Sequence, residues 1–80
     1  MDIVARYCTN YNGFYLRGVE EDSKADEVCT NVIDALVGEC DDDGEFCGDI
    51  DEAKKIIIRE VKAAYGDDVN VIVEFDNISS

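Results

Sequence analysis

Residues 23–38 read SKADEVCTNVIDALVG, and the spacing of the apolar residues within them decides the fold class. Ala25, Val28, Cys29, Val32, Ile33, Leu36 and Val37 recur at i, i+3, i+4 and i+7 without a miss, the pattern of a helix with one buried face. Ser23 is a capping residue type, and Asp26 three positions on sits beside the positive end of the helix dipole. Gly38 reads as the stop. A stripe this complete needs an apolar surface to lie on, and the rest of the chain must supply it.

Upstream, DIVARYC (2–8) and FYLRGV (14–19) are apolar and rich in strand-forming residues. Between them lies TNYNG, in which Asn12 and Gly13 both tolerate positive φ, so the spacing predicts strand, turn, strand. Downstream, after the acidic run GECDDDGEFCGD (38–49), Asp49 and Glu52 have the spacing of a capping box. Ile50, Ala53, Ile57, Val61 and Ala64 then form a second helical stripe, with Lys55, Arg59 and Lys62 on another face and Gly66 at the end. VNVIVEF (69–75) alternates in the manner of a half-buried strand, with Val69, Val71, Val73 and Phe75 directed toward the helices. The order is ββααβ. The expected fold is α+β, a single domain over residues 1–80, with a three-stranded, mainly antiparallel sheet and two helices packed on one face. Val28, Val32, Ile33, Leu36, Ile57, Val61, Val71 and Val73 are its expected core.

A hydrophobic fraction of 46% is too high for a disordered tail, and 80 residues allow one modest core. The N-terminus lacks the basic region and long apolar run of a signal peptide, and no apolar run approaches a membrane span. A cytoplasmic protein with reduced thiols is the expectation.

Charge separates the chain into two parts. Residues 20–52 hold fourteen acids and one base, Lys24, and so carry the whole net charge of −13. The other 47 residues hold six acids and six bases. Such a balance argues against direct binding to nucleic acid or an anionic membrane, which requires Lys and Arg. It favours a basic partner or a cation. Acidic loops also keep small domains soluble, but mixed signs would do so without the repulsion that fourteen like charges create.

The acidic run permits several chemistries, and each meets an obstacle. As a twelve-residue calcium loop from Glu39 to Ile50 it has Asp41, Asp43 and Gly44 at the third, fifth and sixth places, but Glu in place of Asp at the first and Ile where a bidentate Glu is required. Cys8, Cys29, Cys40 and Cys47 contain no C-x-x-C pair, so no structural zinc site is predicted. Cys40 and Cys47 share a loop and are able to pair on oxidation. Their acidic surroundings are expected to raise their pKa values. The chain has no His, and eighty residues leave little room for a catalytic cleft, so no enzyme and no cofactor is expected. The remaining chemistry is polyanion mimicry, in which carboxylates around the first helix occupy a Lys/Arg groove built for DNA or RNA. Glu20, Glu21, Asp22, Asp26 and Glu27 on one side, and Asp41, Asp42, Asp43 and Glu45 on the other, are the candidate partner-binding residues.

In size, charge and ββααβ order the chain resembles small acidic phage-encoded anti-defence proteins, the anti-CRISPRs and nucleic-acid mimics. One type I anti-CRISPR family has the same element order and blocks the DNA-binding groove of a Cascade subunit with acidic residues. The resemblance implies a non-enzymatic inhibitor in the host cytoplasm whose partner is a basic nucleic-acid-binding protein such as a CRISPR effector subunit. It covers element order and charge, and the 38–49 loop has no counterpart in it. The alternative is a cytoplasmic interaction module whose acidic 38–49 loop binds a basic partner or, weakly, calcium.

Overall fold

The computed structural model describes residues 2–76. Five elements follow in the order ββααβ: β1 (Asp2–Cys8), β2 (Gly13–Arg17), α1 (Ser23–Val37), α2 (Ile50–Tyr65) and β3 (Asn70–Asp76). The strands form one sheet in the order β2-β1-β3.

The sheet is mixed. β1 pairs with β2 antiparallel, from Val4↔Arg17 to Cys8↔Gly13. It pairs with β3 parallel, from Asp2↔Asn70 to Cys8↔Asp76. The parallel pair follows from the connections. β2 returns the chain to the end where β1 began. Two helices of about 22 and 24 Å then carry it along the sheet and back, so β3 starts beside the start of β1 and must run with it. One crossover helix would have reversed β3.

The hairpin closes over residues 9–12. Asn12 takes the left-handed conformation, with φ 54°. Gly13 does not; the exposed Tyr11 ring lies against it, and a Cβ there would displace that ring. The N-cap of α1 is Asp22, one residue before the predicted Ser23, and its Oδ1 accepts from the N–H groups of Lys24 and Ala25, both at 3.1 Å. An aspartate at this place also carries a charge toward the positive end of the dipole, which a serine lacks. Gly38 ends α1 at φ −65°, ordinary right-handed backbone, where a side chain would meet open space. The stop therefore comes from the turn that follows, in which Glu39 and Cys40 donate to the carbonyls of Leu36 and Val37. Asp49 caps α2 by accepting from Asp51 N–H at 2.8 Å.

Both helices cover the sheet face that carries Ile3, Ala5 and Tyr7. Of the expected core, Val28, Val32, Leu36, Ile57 and Val61 are buried, while Ile33, Val71 and Val73 are half-buried at its margin. β1 occupies the central position, so Ile3, Ala5 and Tyr7 lose all exposure. Phe46, from the acidic loop, joins them edge-on to Tyr7 at 5.6 Å between ring centroids. Among the described residues, no helix is long and apolar enough to cross a membrane.

Candidate functional site

The fourteen acids of residues 20–52 are all exposed. Helix α1 separates them into two poles. At its N-terminal end stand Glu20, Glu21, Asp22, Asp26 and Glu27. At its C-terminal end, where α2 begins, stand Glu39, Asp41, Asp42, Asp43, Glu45, Asp49, Asp51 and Glu52. Asp34 lies between them on α1. The nine candidate residues thus form two groups about 22 Å apart, the length of the helix.

The first pole is larger than the sequence pattern suggested. α2 ends beside the start of α1, because Lys24 Nζ lies over the Tyr65 ring at 5.1 Å from its centroid. The turn after α2 brings Asp67 and Asp68 to the same end of the domain. These two belong to the part of the chain that is neutral by sequence, and only the return of α2 places them here. Lys24, the one base of the acidic segment, is directed across α2 and not onto its acidic neighbours.

Few of these carboxylates have a cation. Among the described residues, only Glu52 of the fourteen is ion-paired, at 3.7 Å to Lys55. Three of the six acids of the neutral remainder are paired. Glu60 meets Arg59 at 3.6 Å, and Glu74 and Asp76 both meet Arg6, at 3.9 and 3.4 Å. Asp76 and Glu74 in turn hold the Arg6 guanidinium in its charged form, with Asp76 the stronger influence.

The second pole is an ordered loop. Cys40 and Phe46 form an antiparallel bridge. Within the turn they enclose, Asp41 Oδ1 accepts from the N–H groups of Asp43 and Glu45 at 2.9 and 3.0 Å. Gly44, at φ 86°, supplies the left-handed residue that the turn needs. Phe46 N–H donates to Thr9 O at 2.7 Å, fastening the loop to the hairpin. Gly48 is packed under Phe46, where a Cβ would lie 2.9 Å from the ring. Asp41 therefore builds the turn, whereas Asp42, Asp43 and Glu45 have no side-chain partner among the described residues. Asp22 similarly serves α1 as its cap. No group of three carboxylates or thiols among the described residues converges as a metal ion would require.

All four cysteines are free thiols. Cys47 is exposed, and lost hydration together with the Asp41 and Glu45 carboxylates pushes its thiol above the ordinary range. Burial, then Asp26, does the same to Cys29.

The sequence pattern did not disclose that each pole is cut by a cleft with apolar walls. One runs between β2 and the start of α1, lined by Phe14, Leu16, Val19, Ala25 and Cys29 under Glu20, Glu21 and Asp26. The other runs between the end of α1 and the start of α2, lined by Leu36, Phe46, Ala53 and Ile56 under Glu39, Asp49 and Glu52. A strand facing a helix across sequence gives no local signal of such a gap. Compared with known proteins, the chain matches no family model, no curated protein and no solved structure.

Proposed function

We propose that this protein is a non-enzymatic acidic inhibitor that occupies the basic nucleic-acid-binding surface of a partner protein. A phage anti-defence role against a CRISPR effector subunit fits this reading. The observation that carries it is the exposure of all fourteen acids of residues 20–52, with only Glu52 ion-paired among the described residues. Unpaired carboxylates repel one another and lower stability, a cost that a partner's Lys and Arg side chains relieve.

The magnitude is appropriate. Over 34 Å, the longest dimension of the domain, a B-DNA duplex carries about 20 charges. The acidic segment's net −13 is about two thirds of that, held around one helix and the loops at its two ends. Affinity then comes from several charge-assisted contacts together, each exposed pair contributing about 1 kcal/mol or less.

The test is competition between this protein and nucleic acid for a purified basic effector subunit, at two salt concentrations. Inhibition is expected to fall steeply with salt and to yield to excess DNA or RNA. Reversal of Glu20, Glu21, Asp26 and Glu27 together, or of Asp42, Asp43 and Glu45 together, is expected to abolish it. Asp22 and Asp41 are left intact in both sets, because they hold the backbone. Reversal of Glu60, Glu74 and Asp76 is expected to leave competition unchanged. Simultaneous binding of protein and nucleic acid, insensitive to salt, would refute mimicry.

A further inference from the structure

Three clefts among the described residues differ in how much unsatisfied charge they present. The one between the outer faces of α1 and α2 has mixed signs, with Lys24 beside Glu27 and Glu60. In the cleft at the end of α1, Asp49 is occupied in capping α2 and Glu52 is paired with Lys55, leaving Glu39. In the cleft between β2 and α1, by contrast, the carboxylates of Glu20, Glu21 and Asp26 have neither a hydrogen-bond donor nor a cation among the described residues. Beneath them lie apolar walls from Leu16, Val19 and Ala25, and the Cys29 thiol, which burial keeps neutral.

We infer that the β2–α1 cleft is a socket for one arginine side chain of a partner protein. The inference rests on the reading of the protein as an acidic binder of basic surfaces, and it assigns that binding a specific anchor. The volume, about 300 Å³, is at the lower limit of small-molecule sites, which suits a single long side chain. The walls take an aliphatic stem, which Arg and Lys both possess. The rim offers carboxylates on two elements, the β2–α1 connection and the first turn of α1. A planar guanidinium with five donors can bridge two of them, whereas an ammonium is a point charge that surrenders more hydration on entering. Apolar lining residues beside unpaired acids are complementary to an arginine's stem and its charged head. The exposed ridge of Asp42 and Asp43, which has no such floor, is complementary only to its charge.

The experiment is a titration of the whole ¹⁵N-labelled chain with blocked tri-arginine and, separately, blocked tri-lysine, followed by NMR. Tri-arginine is expected to shift the amides of Leu16, Val19, Ala25 and Cys29 saturably, and to bind several-fold more tightly than tri-lysine. The double variant Glu20→Gln/Asp26→Asn is expected to weaken it about tenfold, the equivalent of one charge-assisted hydrogen bond. Val19→Ser leaves charge unchanged and is expected to weaken it about fourfold through lost apolar contact; its spectrum reports folding directly. Asp42→Asn/Asp43→Asn is expected to change it less than about twofold, since those charges lie more than a Debye length from the cleft. Equal affinity for both peptides, shifts spread over both poles, or no effect of Val19→Ser in a folded protein would each overturn the socket. Failure of the competition assay with a basic effector, while tri-arginine still maps to the cleft, would instead overturn the proposed function and leave the socket standing.

Discussion

The two acidic poles have similar composition and different physics. At the N-terminal end of α1, one carboxylate of five, Asp22, holds the backbone, and Glu20, Glu21, Asp26 and Glu27 are free to meet a partner. At the C-terminal end, Asp41 folds the loop, Asp49 caps α2 and Glu52 is paired. The denser run in the sequence is therefore the one more committed to its own structure. Charge counted along a chain is not charge available at a surface. An acid in a turn satisfies backbone N–H groups that would otherwise go without partners.

The most severe way to break this comparison is to release the second pole from the core. Phe46→Ala removes the ring that packs on Tyr7, and should destabilise the protein by about 3–5 kcal/mol. A denaturant titration measures this, and a loss no larger than that of a surface substitution would mean the loop is not anchored. Next in size is the division of labour among aspartates. Asp41→Ala should cost about 1 kcal/mol, in the manner of a lost cap, whereas Asp42→Ala and Glu21→Ala should stay within about 0.5 kcal/mol of the parent. Equal effects at Asp41 and Asp42 would erase the distinction between structural and available carboxylates.

A smaller effect of opposite sign is expected at Gly38. Its backbone is right-handed and its Cβ direction is open, so Gly38→Ala should stabilise by about 0.4–1 kcal/mol through the unfolded chain. Gly44→Ala, at φ 86°, should destabilise. Thermal melts of the two variants with opposite signs would confirm that, of these two glycines, only Gly44 is conformationally required. The least effect concerns the thiols. Reductant should leave the melting temperature unchanged, since the four cysteines are free. At pH 8 the raised pKa of Cys47 leaves less thiolate than an ordinary exposed cysteine would have, so alkylation should be slow. Asp41→Asn and Glu45→Gln should speed it by lowering that pKa. Rapid alkylation of the parent would show that the loop carboxylates do not act on the sulfur.

Much of the fold was legible in the residues. The stripes from Ala25 to Val37 and from Ile50 to Ala64 name two helices because helical periodicity is a local property. The alternation from Val69 to Phe75 names a strand for the same reason. The direction of β3 was legible in principle too, since two crossover helices return the chain to the end where β1 began. Cap identity was less so. Ser23 and Asp22 are both capping types, and only the geometry of the entering chain selects Asp22.

The sequence by itself determined that one segment bears all the excess charge and that two amphipathic helices must share one sheet. Tertiary structure alone decided which acids are free. Pairing depends on distance across elements, so Arg6, from β1, meets Glu74 and Asp76 nearly seventy positions away, while Lys24 lies over the Tyr65 ring. It also decided that Phe46, in the most acidic loop, is core, and that Phe14, Leu16 and Val19 meet Ala25 and Cys29 around an acid-rimmed cleft. Periodicity reports which face of an element is buried. It does not report what the opposing element leaves uncovered, because that depends on how two surfaces fit, and the fit exists only after the chain has folded.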